Sequence, residues 1–275
     1  MRGSMSTKTK KISSDKVFDI FNYTLLILLI VVVAYPLYYV LIASISDPYE
    51  VYGGKTFLLP SKITLEGYFR VFREESIATG YLNSIYYTVL GTVISVALII
   101  TTGYCVSKKT LPFRKAIMVF YVFTMYFNGG LIPTYLVVSK LGMLNSVWAL
   151  ILPGGVAVFN VIVARTFFES SIPEELYEAA AIDGSSNLRT FVKIALPLAK
   201  PILAVMVIFT MVAYWNDWFT ALIYMNEKAK YPLQLALRQV LIQSQATATM
   251  MGNMDGGYAE ANKITELIKF ASIVV

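Results

Sequence analysis

The sequence predicts an all-α integral membrane protein with six transmembrane helices, the last of them incomplete in this chain. Two observations predict this class. Of the 275 residues, 57% are hydrophobic and 15% are charged, and the mean hydropathy is +0.63, which is more apolar than an ordinary globular domain. Apolar runs also recur at the length that crosses a bilayer core of about 30 Å, which takes roughly 20 helical residues.

Five of these runs are complete. The first is too long for the apolar region of a signal peptide, and no small-residue cleavage site follows it, so we expect it to be retained as a span. A sixth run begins near Ile264 and reaches Val275, which is too short to cross, so we expect the chain to stop inside its last helix. The complete runs are Tyr23–Ile45, Ile85–Val106, Ala116–Val138, Val147–Ala164 and Ile202–Met225.

Lysine and arginine set the expected orientation. They cluster before the first run and between the second and third, at Lys8, Lys10, Lys11, Lys16, Lys108, Lys109, Arg114 and Lys115. By the positive-inside rule we expect a multi-pass protein of the bacterial cytoplasmic (inner) membrane with its N-terminus in the cytoplasm. Residues 1–22 then form a cytoplasmic segment, of which residues 1–4 resemble an expression leader, and residues 23–275 form the transmembrane domain. Within that domain, residues 168–200 form a cytoplasmic loop and residues 226–262 an outer loop.

The composition also excludes several function classes. The chain has no histidine, which removes triads with an imidazole base and histidine-ligated metal sites. Cys105 is the only cysteine, so neither a disulfide framework nor a thiolate metal site is expected. The segment "GGKT", Gly53–Thr56, ends like a phosphate-binding loop, but the first glycine of that motif falls at Tyr49 and no strand is predicted before it. The net charge is +6, and the basic residues cluster beside apolar runs, so we expect no nucleic-acid partner. From the residue types that are missing, we also expect no metal, no catalytic residue and no cofactor bound by this chain.

The polar stretch Glu174–Pro197 predicts two short helices around a turn. Ser171 and Glu174 have the spacing of a capping box, and Gly184 is suited to the left-handed conformation that ends a helix. Ser185 or Ser186 is expected to cap the second helix, and Pro197 to end it.

Helical periodicity leaves two interpretations of this stretch open. It could be a surface hairpin that covers the ends of the spans. It could equally be a docking element, because small residues such as Ala179 and Ala180 on one face would let another surface approach closely.

The motif in this stretch resembles the EAA loop of ABC importer permeases. Glu178-Ala179-Ala180 is followed by Asp183-Gly184 and then by Ile194-x-Leu196-Pro197, in the order and spacing of that signature, with Ser185 where the family has alanine. Phe127–Gly154, Arg165–Gly184 and Tyr231–Leu241 are also similar to the maltose-type permeases, the LplC-like sugar permeases in particular.

The resemblance implies a type I ABC importer permease fold and a transport role without enzymatic activity. The loop would be a coupling helix that sits in a groove of a cytoplasmic ATPase. The expected contact residues are Glu175, Glu178, Ala179, Ala180, Asp183, Gly184, Ile194, Leu196 and Pro197.

The same resemblance implies the partners. They are a second, homologous permease subunit, two ATPase subunits that bind ATP and Mg, an extracytoplasmic solute-binding protein and membrane lipid. The substrate would be a carbohydrate of the oligosaccharide class, uronate-containing ones included, carried by alternating access. A permease for amino acids or peptides and an autonomous secondary transporter are the alternatives. The outer loop 226–262 would dock the binding protein or lie as a helix on the membrane surface.

Polar residues within the apolar runs are candidates for a substrate pathway. Because an aspartate at the centre of a span costs about 2.5–3.5 kcal/mol on insertion scales, Asp217 is expected to face protein or water. A packing role for its carboxylate and an interfacial aromatic belt remain alternatives, and in maltose-type complexes sugar contacts can fall mainly on the partner permease. The pathway candidates are Asn160, Tyr214, Asn216, Asp217 and Trp218.

Glycines beside prolines in the third and fourth runs predict weak points in the helices. They are candidate hinges or, alternatively, sites of close helix packing. The residues are Gly129, Gly130, Pro133, Pro153 and Gly154. At the start of the second run, Asn83 and Ser84 are predicted to be a helix N-cap and are given no chemical role.

Overall fold

The computed structural model describes residues 11–60, 62–252, 265 and 268–275. Within these residues the chain is helical, and the single β-type pairing is an isolated antiparallel bridge between Ser46 and Ile63. The expected leader, residues 1–4, and the expected start of the sixth run at Ile264 lie outside the described residues, whereas residues 268–274 are helical. In chain order the α-helices are α1 (Lys11–Ser44), α2 (Pro48–Tyr52), α3 (Glu66–Arg73), α4 (Glu75–Ser107), α5 (Arg114–Tyr126), α6 (Leu131–Lys140), α7 (Val147–Ile151), α8 (Val158–Ser170), α9 (Glu174–Ile182), α10 (Asn187–Thr190), α11 (Leu196–Leu198), α12 (Lys200–Trp215), α13 (Phe219–Tyr224) and α14 (Leu233–Gly252).

Contacts divide the chain into two units. One comprises Met1–Arg73 with Val240–Val275, and the other is Glu74–Gln239. In the first unit, the apolar helix α1 packs its C-terminal end through Tyr39 and Ala43 against Phe270, with the Tyr39 and Phe270 ring centroids 6.1 Å apart.

The unit Glu74–Gln239 is built on α4, which packs against both α8 and α12. Ile99 of α4, Val161 of α8 and Met206 of α12 are completely buried in its core. The approach to α8 depends on Gly103, because a Cβ there would lie 2.7 Å from the Cβ of Ala164. A small residue at this crossing therefore brings the two backbones together, as at other membrane helix contacts.

Two helices in the described part of the chain are long and apolar enough to cross a membrane. They are Asp15–Ser44, within α1, and Glu75–Ser107, and the number rises to four if two bent helix pairs each count as one span. The second helix begins ten residues before its predicted start at Ile85, since "ESIATGYLNS" continues the helix although it is too polar to raise a hydropathy window. The total of six spans remains a prediction.

Three of the predicted runs are interrupted: the third and fourth at the glycine-containing segments predicted to weaken them, and the fifth where no break was predicted. The third run breaks after Tyr126, and α5 and α6 are bent by 112°. Gly130, with φ +84°, lies at this break. The fourth run ends at Ile151 and resumes at Val158, with the proline–glycine segment between. The fifth run stops at Trp215 and resumes at Phe219. A hydropathy window reports transfer into an apolar phase and not the direction of the chain, so these interruptions leave no trace in it.

Candidate functional site

The loop predicted over residues 168–200 contains a helical hairpin, which we define as Glu174–Leu198. Its first helix, α9, ends in a Schellman motif: the amide of Ser185 donates to Ala180 O at 2.9 Å, and that of Gly184 to Ala181 O at 3.0 Å. Gly184 has φ +71°, the left-handed conformation that this motif requires and that glycine adopts without a Cβ penalty. The predicted glycine turn is therefore formed.

The two ends of the hairpin differ from prediction. The prediction of a capping box is wrong. Pro173 occupies the N-cap of α9, and no side chain caps that helix. Ser171 instead ends α8, with its amide bonded to Phe167 O. Ser186 does cap α10, accepting from the amide of Arg189 at 3.4 Å.

Pro197 does not end the second arm, contrary to prediction. Phe191–Ala195 is a π-helical turn in which the amide of Leu196 bonds to Phe191 O. Pro197 therefore falls in the first turn of α11, where its missing amide leaves no hydrogen bond unmade. The arm continues to Leu198, and α12 leaves at a bend of 80°.

The hairpin presents a polar face with two apolar residues beside its turn. Ile182 is 86% exposed and Leu188 is 73% exposed. Ala179 is also exposed, but Ala180 is buried within the chain at 6% exposure. The expectation that Ala179 and Ala180 share one docking face is thus wrong, since consecutive helical residues point about 100° apart. Of the other predicted coupling residues, Glu175, Glu178, Asp183, Gly184 and Pro197 are exposed, and Ile194 and Leu196 are half-buried.

An aromatic cluster that the sequence did not reveal holds the hairpin to the rest of the unit. Tyr104, in the last turn of α4, packs against Phe168 of α8 and against Tyr177 and Phe191 of the hairpin, with centroid distances of 5.5, 6.2 and 4.7 Å. Aromatic pairs of this kind are each worth about 0.5–1.5 kcal/mol beyond their area. Movement of the hairpin is therefore coupled to α4 through packed rings.

Lys108, which follows α4, extends over this cluster. Its Nζ lies 2.6 Å from the ring centroid of Tyr177 and 4.7 Å from that of Tyr104. Burial among the rings lowers the pKa of Lys108 to about 8, against an opposing effect of Glu174. Burial also raises the pKa of Tyr177 to about 12, so its hydroxyl remains neutral when the lysine titrates.

A cavity of about 780 Å³ lies between the hairpin and the end of α4. Charged side chains of both signs line it, and two ion pairs cross it: Lys109 with Glu174, and Arg114 with Glu169. The first pair is exposed and contributes little in water. The second pair joins α5 to α8 and does not involve the hairpin, so the hairpin is held mainly by the aromatic rings. The charged lining consists of Lys108, Lys109, Arg114, Glu169, Glu174 and Glu178.

A second cavity, of about 500 Å³, brings together most of the predicted pathway residues. It is lined by Asn160, Tyr214, Asn216 and Asp217, together with the predicted hinge residues Pro153 and Gly154. Trp218 is not in its lining. Of the remaining hinge candidates, Gly129 and Gly130 lie at the separate break between α5 and α6, and Pro133 lies in the first turn of α6.

Hydrogen bonds and one glycine orient the polar groups of this cavity. The Tyr214 hydroxyl lies 2.8 Å from Ser95 Oγ, and its ring packs so closely on α4 that a Cβ at Gly91 would lie 2.8 Å from it. Asp217 Oδ1 accepts from the amide of Thr220 at 3.0 Å. The break between α12 and α13 thus places a carboxylate, a carboxamide and a phenol where a continuous helix would have spread them around its circumference.

Trp218, at the N-cap of α13, stacks with an arginine that the sequence analysis did not single out. Arg238 Cζ lies 3.6 Å from the ring centroid of Trp218. The ring itself packs with Ala221 and Leu235 of the neighbouring core.

The start of the predicted outer loop is fixed to α4. Asn83 and Ser84 lie inside that helix, so their prediction as an N-cap is wrong. Asn83 Nδ2 donates to Ala229 O at 2.8 Å and to Tyr231 O at 3.1 Å, and Ser84 Oγ accepts from the amide of Leu233 at 2.8 Å. These contacts join residues about 150 positions apart, which no local pattern encodes. The loop then continues as α14 up to Gly252, and residues 253–262 lie outside the described part.

Apolar helices interrupted around a polar cavity, with a hairpin anchored at the end of one of them, define the chain as a membrane transport subunit of the type I ABC importer permease class. The chain belongs to the family of binding-protein-dependent transport system inner membrane components, whose profile matches residues 3–265. The expected fold class and family are therefore confirmed.

Individual proteins agree with this assignment. The chain is 39% identical to the polygalacturonan/rhamnogalacturonan transport system permease protein YtcP of Bacillus subtilis (strain 168), over 95% of this chain and 90% of the relative. It is 40% identical to protein LplC of the same strain, over 86% and 80% of the two chains. It is also similar to the crystal structure of a bacterial ABC transporter involved in the import of the acidic polysaccharide alginate, with a TM-score of 0.82 and 32% identity over 99% of this chain and 95% of that one.

Proposed function

We propose that this chain forms half of the translocation pathway of an ATP-driven importer for acidic, uronate-containing oligosaccharides. The observation that carries the transport mechanism is the hairpin Glu174–Leu198, which exposes a glycine turn and yet is packed onto α4 through Tyr104. A docked motor that moves the turn would move α4, and α4 lines the 500 Å³ cavity through Ser95 and Ile99.

The energy would come from other polypeptides. Two ATPase subunits would bind ATP and Mg, with the hairpin in a groove of one of them. A second, homologous permease would complete the pathway, and an extracytoplasmic binding protein would deliver the sugar. This arrangement requires residues 168–200 and the N-terminus to face the cytoplasm and residues 226–262 to face outward, as the basic residues predict.

The substrate class is supported by the relatives, which are similar over most of the chain. YtcP is described by its transport of polygalacturonan and rhamnogalacturonan, and the solved transporter by its import of an acidic polysaccharide. The chemistry of the cavity suits a sugar, since Asn160, Asn216 and Tyr214 offer amide and hydroxyl groups for sugar hydroxyls beside aromatic surface.

Affinity purification in detergent tests the proposal. The tagged chain should retain an ATPase and a second permease, and proteoliposomes with the binding protein should take up labelled trigalacturonate only when ATP is present on the ATPase side. An importer of this kind that takes up a labelled amino acid or peptide instead would refute the substrate class. A chain that retains no ATPase and transports in response to an ion gradient would refute the mechanism in favour of a secondary transporter.

A further inference from the structure

We propose that Arg238, held on the ring of Trp218, is a binding residue for the carboxylate of an acidic sugar. This inference rests on the proposed function, and it assigns the recognition of the acid group to one side chain of this chain. The ligand class is a glycoside that carries a carboxylate.

The first observation is an unpaired cation. Arg238 Nη1 is buried and has no hydrogen-bond partner, and among the described residues no carboxylate lies within ion-pair distance of its guanidinium. Guanidinium groups remain charged at all relevant pH values. Because a buried charged donor without an acceptor is costly, the site is chemically complete only when an anion arrives.

The second observation is that the guanidinium is already positioned. It lies 3.6 Å from the centroid of the Trp218 ring, and stacking on an aromatic face holds the plane of the guanidinium. A carboxylate is the planar acceptor that such a fork binds with two parallel hydrogen bonds. The ring of Trp218 is half-buried, so part of its surface remains for the apolar face of a sugar ring.

The third observation concerns location. Trp218 directly follows Asp217, which lines the polar cavity, and Arg238 lies one turn after the buried Leu235 in α14, which is part of the predicted outer loop. In the proposed orientation, an oligosaccharide released outside would meet the Arg238–Trp218 pair near the outer end of the pathway.

The test is ligand binding to the purified transporter complex without the binding protein, so that only the membrane subunits provide affinity. The probes are trigalacturonate and its methyl ester, which have the same sugar framework but differ in charge. Arg238→Gln should weaken binding of the acid about 10- to 100-fold, as expected for the loss of a charged hydrogen-bond pair, and leave binding of the ester within about twofold. Arg238→Lys should recover part of the affinity because it restores the charge without the fork.

Arg70→Gln is the matched control, since Arg70 is exposed and paired with Glu66 of the same helix. It should change neither affinity. Equal losses for acid and ester in Arg238→Gln, a loss of complex assembly in both Arg238 variants, or a wild-type complex that does not prefer the acid would each overturn the assignment. Retention of the ATPase and ATP-dependent uptake are measured on the same wild-type complex, so a failure of the proposed function is distinguished from a failure of this assignment.

Discussion

The turn at Gly184 permits a sharp test of whether the hairpin docks a partner or only covers the chain. Its φ of +71° is unfavourable for any other residue, yet a Cβ built there meets nothing within 4 Å. A left-handed conformation costs a non-glycine residue about 1–2 kcal/mol, and larger side chains at the same position should add little to this within the isolated chain. Gly184→Ala and Gly184→Arg should therefore destabilise the isolated subunit by the same amount.

At about 2–4 °C per kcal/mol for a chain of this size, both variants should lower Tm by about 2–8 °C. Gly184→Asn should lower it less, because asparagine tolerates the left-handed region. Gly184→Ala and Gly184→Arg should therefore have the same Tm but differ in ATPase capture and uptake. If a partner groove closes over the turn, the arginine side chain has no room in it, whereas the alanine methyl is small.

The assay combines thermal unfolding of the detergent-solubilised subunit with ATPase capture and ATP-dependent uptake in the assembled complex. We expect Gly184→Arg to reduce capture and uptake at least about tenfold, the effect of roughly 1.4 kcal/mol, and Gly184→Ala to retain most of both. Gly142→Arg is the control, because Gly142 has φ +66° and equally open surroundings but lies between the third and fourth runs, in a turn that faces outward if the N-terminus is cytoplasmic and the spans alternate in direction. Full uptake by Gly184→Arg, or a Tm much lower than that of Gly184→Ala, would refute the docking interpretation.

Two further predictions concern charge. Asp217→Asn keeps an oxygen to accept from the Thr220 amide but removes the carboxylate charge. We expect this variant to have an unchanged Tm and uptake reduced about tenfold. Asp217→Ala should in addition lose about 1 kcal/mol of stability, because it also removes the hydrogen bond to the Thr220 amide. Unaltered uptake by Asp217→Asn would limit Asp217 to capping. Lys108 has a pKa of about 8 in the folded chain, below the usual value near 10.4, so its burial opposes folding below pH 8 and this effect is relieved as the pH rises to about 10.5. The Tm difference between wild type and Lys108→Met should therefore change in favour of wild type between pH 7 and pH 10, and a difference independent of pH would contradict the burial of this lysine.

Local features of the hairpin were predictable because their causes are local. Gly184 ends a helix and Ser186 begins the next through bonds to residues within five positions, and such patterns can be recognised in a sequence. The wrong prediction that Pro197 ends the second helix also has a local cause, since a π-helical turn placed the proline where its missing amide is harmless. The EAA signature added the motor-docking hypothesis, which periodicity could not supply.

The sequence alone determined that this protein lies in a membrane, that it is helical, which family it belongs to and where its hairpin turns. These properties follow from composition, from the length of apolar runs, from a short motif and from hydrogen bonds between residues close in the chain. The tertiary structure decided which polar groups meet. Only folding brings Tyr104 onto Tyr177, Asn83 onto the backbone of Tyr231, and Arg238 onto Trp218. It also decided that Asp217 lies at a helix break beside a cavity and not within a continuous span. These contacts join distant positions through packing, and their energy is invisible to any window that slides along the chain.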